Sequence, residues 1–173
     1  MARRVFFSFD YGRDYWRVSQ VRDCWTANPD MQTAGFTDAL SWEHLKWDGE
    51  KARHKWIDRE MEKSSVIVVL IGNETSRNDL VDYVIRQSRS LGKALFGIYI
   101  HNLKDKDGDT DLKGKNPFDS YCFEQKGEMV HLSRIYPTYD WVDDDGPKNF
   151  TEWVQAAVRK TVSTGKPGQN RQF

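Results

Sequence analysis

Ser65-Val-Ile-Val-Val-Leu-Ile-Gly72 is a continuous apolar, β-branched run that stops at a glycine. Apolar side chains at both parities mean that both faces of such a strand are covered, as in the middle of a parallel sheet. Ala94-Leu-Phe-Gly-Ile-Tyr-Ile100 reads the same way. Arg4-Val-Phe-Phe-Ser-Phe9 is a third run, with Val5, Phe7 and Phe9 on one parity and Phe6 on the other. Helical stretches separate these runs. Asp14 is placed to cap a helix through Trp25, with Val18, Val21 and Trp25 on one stripe. Asp48 or Gly49 opens a second helix through Lys63, and Asn78 or Asp79 a third that buries Leu80, Val81, Val84, Ile85, Ser88 and Leu91 before Gly92 stops it. The last helix carries Phe150, Trp153, Val154, Ala157, Val158 and Val162 on its stripe, with Asn149 as cap and Glu152 at the capping-box position. Gly35–Asp38 is the expected second strand and Met129–Ser133 the expected fifth. Strands alternating with helices predict an α/β domain built on a parallel sheet of about five strands flanked by helices.

The chain has 173 residues, which suits a single domain, here expected over 1–163, with a loop insertion at 102–127 and a flexible tail at 164–173. Twenty-six Lys plus Arg balance 26 Asp plus Glu, so no basic excess is available to displace counterions from a nucleic acid. The longest apolar run, Val66–Gly72, is far shorter than the roughly 18–20 residues that cross a bilayer. No charged-then-apolar leader is visible at the start, and two cysteines, Cys24 and Cys122, do not form a disulfide framework. The expectation is a cytoplasmic protein that contacts neither nucleic acid nor membrane.

In an open parallel sheet, ligands sit beyond the carboxyl ends of the strands. That rule selects Ser8, Phe9, Asp10 and Tyr11 after the first strand, Asp38 after the second, Gly72, Asn73, Glu74 and Thr75 after the third, and His101 after the fourth. Polar loop residues at strand ends are also what solvation of a loop backbone requires, so the cluster alone does not make a pocket. Gly72–Thr75 lacks the P-loop spacing, and no dinucleotide glycine fingerprint occurs anywhere in the chain. Asp105–Asp111 misses the glycine and glutamate positions of a calcium loop, and the four histidines have no metal-ligand spacing, so no metal site is expected. Trp42, just beyond the expected second strand, is the aromatic residue best placed to stack on a ligand base.

Arg3-Arg-Val-Phe-Phe-Ser-Phe-Asp-Tyr11, Ser64–Thr75, Val81-Asp-Tyr-Val-Ile85, Asn116-Pro-Phe-Asp119 and Tyr139-Asp-Trp-Val142 together resemble the bacterial TIR-like proteins of the Thoeris antiphage system. The likeness runs from about Arg3 to Val158. It implies a flavodoxin-like sheet and the use of NAD, whose nicotinamide–ribose bond is cleaved to release a cyclic ADP-ribose-type signal for a partner effector. Cleavage at a glycosidic carbon with a cationic leaving group creates an oxocarbenium-like centre, which a carboxylate stabilises. In the family that carboxylate is a Glu on the third helix, within a Trp-Val-x-x-Glu-Ile pattern. Here the segment reads Leu80-Val-Asp-Tyr-Val-Ile85, with Leu80 at the Trp position and Val84 at the Glu position.

A valine side chain neither accepts a hydrogen bond nor stabilises a cation, and three routes remain open. Asp10, Asp38 or Asp82 replaces the missing acid, with Asp79 and Glu74 as further loop or cap carboxylates. Alternatively the domain binds NAD or a related nucleotide without cleaving it, or works through protein contacts. Or a second copy supplies groups to a composite site by self-association. The strand-end rule, with Trp42 as the stacking residue and Val84 at the family's Glu position, sets Ser8, Phe9, Tyr11, Trp42, Gly72, Asn73, Thr75, Val84 and His101 as the residues expected around the nucleotide. A receiver-like phosphate-accepting domain is a weaker alternative, since Asp10 stands alone and His101 occupies the place where a lysine would help.

Overall fold

Along the chain, β1 (Arg3–Ser8) leads into α1 (Tyr11–Thr26), followed by β2 (Met31–Ala34), α2 (Ala39–Asp48) and α3 (Glu50–Glu62). Then come β3 (Val66–Ile71), α4 (Asp79–Ser90), β4 (Ala94–Tyr99), β5 (Cys122–Gln125), β6 (Glu128–His131), β7 (Thr138–Asp140) and α5 (Gly146–Ser163). These elements belong to a computed structural model in which residues 3–28, 31–34 and 39–163 are described.

β3 is buried at all six positions because it has a parallel neighbour on each edge and helices over each face. The strand order is β2-β1-β3-β4-β7, with every neighbouring pair parallel. This is the flavodoxin-like order, whose reversal point, where ligands gather, lies between the carboxyl ends of β1 and β3.

Alternation along the strands sends successive side chains to opposite layers. On one side, Phe7, Val68, Leu70, Phe96 and Ile98 pack against Val18, Val21 and Trp25 of α1 and Phe150, Trp153 and Val154 of α5. On the other, Phe6, Ile67, Val69, Ile71 and Leu95 pack against Ile57 and Met61 of α3 and Val81, Val84 and Ile85 of α4. Each large aliphatic or aromatic side chain buried in these layers contributes about 1.5–3 kcal/mol relative to exposure.

The three central strands and the α4 boundary match the expectation, and five details differ. Asp10, not Asp14, caps α1, accepting from the backbone N–H groups of Gly12 and Arg13, so the helix begins one turn earlier. α5 begins at Gly146, which puts Asn149 inside its first turn, where its side-chain amide donates to the carbonyls of Asp144 and Asp145. Met129–Ser133 does not extend the main sheet: Met129–His131 pair antiparallel with β5 in a separate hairpin, and β7 takes the edge beside β4. Leu91 lies beyond the last turn of α4 and is 55% exposed instead of facing the sheet. The second strand pairs with β1 through residues 31–34, ahead of the expected 35–38, which lie outside the described residues. The tail at 164–173 lies outside them too.

Candidate functional site at the β1 and β3 strand ends

β1 delivers Ser8 and Phe9 to the reversal point, both buried. Asp10 follows, and its Oδ1 is engaged in the cap of α1. Tyr11 then stacks between two rings, with its centroid 4.2 Å from that of Phe9 and 4.1 Å from that of Trp42. The near-parallel Tyr11–Trp42 pair, inclined by 11°, joins α2 to the end of β1. Trp42 thus lies at the strand-end site, as an α2 residue whose ring packs on protein.

Once the cap is assigned to Asp10, Asp14 falls one turn into α1 and points at the end of β3. It is 1% exposed, and a Cβ at position 72 would lie 2.1 Å from its Oδ2. Glycine at 72 is therefore what lets the carboxylate approach the backbone. Asp14 Oδ1 accepts from the Arg17 guanidinium at 3.3 Å, while Oδ2 has no hydrogen-bond partner. Burial pushes the Asp14 carboxyl up to about 6, against the pull of Arg17 and with a further upward contribution from Asp10.

Arg17 is itself buried, at 4% exposure, and reaches the long loop after β4. Its Nε donates to the Leu103 carbonyl at 2.9 Å and its Nη2 to the Asp109 carbonyl at 3.0 Å, with Asp105 Oδ2 at 3.7 Å. Backbone N–H groups, that of Asp109 foremost, hold the Asp105 carboxyl below the usual carboxylate range. The acidic run at 105–111 is thus a closed turn, with Asp105 Oδ1 accepting from the N–H groups of Asp107 and Asp109.

At the end of β3 the polar groups satisfy one another. The Gly72 N–H donates to Thr75 Oγ1 at 2.7 Å, and the Asn73 amide donates to Asp111 Oδ1. The loop returns here: a Cβ at Gly114 would lie 2.1 Å from the Gly72 carbonyl oxygen, so this contact also requires glycine. His101, at the end of β4, is 7% exposed, its Nδ1 has no partner, and its Nε2 is 4.0 Å from Asp140 Oδ2.

Val84 is 2% exposed and belongs to the aliphatic layer between α4 and the sheet. Asp82 points elsewhere, bonded to Arg86 at 2.7 Å and accepting from the Tyr121 hydroxyl. Tyr83 stacks on His54 at 3.8 Å and donates to Asp58, tying α4 to α3. Asp38 lies outside the described residues.

The structure therefore gathers Ser8, Phe9, Asp10, Tyr11, Trp42, Gly72, Asn73 and Thr75 around the carboxyl ends of β1 and β3. His101 lies on the neighbouring strand, Val84 in the adjacent apolar layer, and Asp82 in a separate cluster. Asp14 and Arg17 are the polar residues that the sequence reading missed. Their three-residue spacing, with aspartate one turn inside a helix start, was a visible signal once the cap moved to Asp10. Among the described residues no group of three or more His, Cys, Asp or Glu side chains converges as a metal site, and no helix is long and apolar enough to cross a membrane.

Two comparisons with known proteins follow from this frame. Residues 6–105 match the family model described as Thoeris protein ThsB, TIR-like domain. A protein of Bacillus cereus (strain MSX-D12) named "Putative cyclic ADP-D-ribose synthase ThsB1" is 34% identical over 192 aligned residues, covering 89% of this chain and 100% of that protein.

Proposed function

The chain belongs to the ThsB family of Thoeris TIR-like proteins, and from that premise we propose that it is a nucleotide-signalling component of antiphage defence. In this reading it takes NAD at the carboxyl ends of β1 and β3, cleaves the nicotinamide–ribose bond and joins the freed ribose carbon to the adenine end. The cyclic ADP-ribose-type product then carries the signal to an effector protein. The observation that carries the reading is the match, over the whole length of the relative, to the protein named "Putative cyclic ADP-D-ribose synthase ThsB1".

The geometry supports a strand-end location more strongly than any one acid. The rings of Phe9, Tyr11 and Trp42 form an apolar stack beside the β1 terminus, packed on one another. Asp10 lies at the opening of α1, where its carboxylate already serves the cap. Asp82 would have to leave Arg86 and Tyr121 to act. A second reading, binding of a nucleotide without turnover or action through protein contacts, is favoured by one observation: Val84 is packed into the aliphatic layer, with no carboxylate in its place.

Incubation of the purified protein with NAD, followed by chromatography for nicotinamide and cyclic products, separates the two readings. Release of nicotinamide that is lost in one of Asp10→Ala, Asp38→Ala or Asp82→Ala supports turnover and names its acid. No release, alone or with extract of phage-infected cells, combined with saturable NAD binding, supports the non-catalytic reading.

A further inference from the structure

Residues 101–116 leave β4, cross the flank of α1 and return to the β3–α4 turn. The Asp111 N–H donates to the His101 carbonyl at 2.8 Å, and the Asp111 carboxylate meets Asn73 at 3.3 Å and Arg13 at 3.6 Å. Gln20 donates to the Lys104 carbonyl at 2.7 Å. Gly114 closes directly on the Gly72 carbonyl. Apolar burial adds little to these ties: Leu112 is 76% exposed, and most side chains from 104 to 115 are exposed and polar. A segment held by polar ties over solvent-exposed side chains opens at lower free energy than the core beneath it.

We propose that residues 101–116 form a lid over the crevice between β1 and β3, latched by Arg17 and set against the unpartnered carboxylate oxygen of Asp14. Arg17 makes the latch because one guanidinium holds three points of the loop, at Leu103, Asp105 and Asp109, and also grips Asp14. Asp14 opposes closure because its Oδ2 is stripped of water without a replacement partner. Opening hydrates that oxygen and uncovers the Gly72–Asn73 backbone. The nucleotide as the entering molecule rests on the NAD reading above, whereas the lid does not.

The sign of the pH dependence follows from the charges facing Asp14. Asp10, Arg13 and Arg17 approach it from α1. Asp105 and Asp111 lie behind Arg17 and Arg13 on the loop, and the β3–α4 turn brings Gly72 against Asp14, while the charged Glu74 of that turn pairs with Arg77. Closed, the carboxyl titrates near 6; hydrated in the open form it returns to the ordinary value of about 3.9. The closed form binds the proton more tightly, so closure is favoured at low pH and opening rises as pH climbs from about 4 to about 6, by up to the order of 100-fold, then levels.

Amide hydrogen exchange of the ligand-free protein, corrected for intrinsic rates and followed by mass spectrometry between about pH 4.5 and 7.5, tests this directly. Peptides covering 101–116 should show an opening constant that rises with pH and levels above about 6, while α5 peptides stay protected. Asp14→Asn should abolish that rise. Arg17→Lys, which keeps the charge but loses the forked contacts, should speed loop exchange several-fold at every pH without changing α5. A loop whose opening is independent of pH in the native chain, or moves only in step with α5, overturns the proposal. Because NAD is absent from the assay, a lid that behaves as expected survives a failure to bind or cleave NAD, and a failed exchange test leaves the nicotinamide assay untouched.

Discussion

The two sides of the sheet around the carboxyl end of β3 solve the same packing problem in opposite ways. On the α4 side, Val81, Val84 and Ile85 meet Ile71 and Val69 in an aliphatic layer, and the nearby polar Ser88 donates to the Val84 carbonyl at 2.7 Å. On the α1 side, Asp14 and Arg17 are equally dry, at 1% and 4% exposure, yet one carboxylate oxygen has no partner. A buried ion pair of this kind adds little to stability compared with apolar side chains of the same size, because desolvation offsets the attraction. In a chain whose resemblance leads one to look for an acid on α4, the buried acid sits across the sheet on α1. The comparison separates a side whose residues hold the fold from a side whose residues hold a loop.

The largest expected effect comes from splitting the pair. Arg17→Met leaves the Asp14 carboxylate dry and without a cation, and should lower stability by about 3–5 kcal/mol at pH 7.5 in urea unfolding. The loss should shrink near pH 5, where Asp14 with its raised value is largely protonated and needs no cation. A loss below about 1 kcal/mol at pH 7.5 would show that the pair is not the electrostatic unit described and would break the contrast between the two sides.

The legible and illegible parts of the molecule divide along the same line. Val66–Ile71 and Ala94–Tyr99 were readable because a strand buried on both faces has apolar residues at both parities, a signal local to the strand. β7 was not, since a three-residue edge strand of half-buried Thr138, Tyr139 and Asp140 carries no such pattern and is defined by pairing with Gly97–Tyr99. Met129–Val130 read as a sheet strand for the converse reason: β-propensity does not specify which partner a strand finds. The strand-end residues were legible through topology alone. Asp14 and Arg17 were not, because an aspartate near a helix start reads as a cap until Asp10 is seen to hold that role, and the partners of Arg17 are carbonyls 86 and 92 residues away.

A smaller effect is expected on the apolar side. Val84→Ala removes two buried methyl groups, at roughly 0.8 kcal/mol each, and leaves a small cavity, for a total loss of about 2 kcal/mol. Nothing titratable is involved, so the loss should be the same at pH 5 and pH 7.5, unlike that of Arg17→Met. A pH-dependent loss at Val84 would mean that the two layers are coupled through β3 and would sharpen the comparison into a statement about the whole strand end.

The smallest effect belongs to Asp10, which touches both questions. Its carboxylate accepts from the N–H groups of Gly12 and Arg13, so Asp10→Ala should cost about 1 kcal/mol through loss of the cap. Its negative charge also raises Asp14, so the same substitution should lower the closed-form Asp14 value, so that lid opening rises less and levels at a lower pH. Hydrogen exchange of 101–116 against pH measures the second effect and urea unfolding the first. If stability falls by about 1 kcal/mol while the exchange profile stays in place, Asp10 is only a cap. If the profile moves to lower pH, Asp10 and Asp14 form one electrostatic unit at the end of β1. If nicotinamide release is also lost, with the fold intact and the lid still opening in the exchange measurement, the missing step is chemical and Asp10 is its acid.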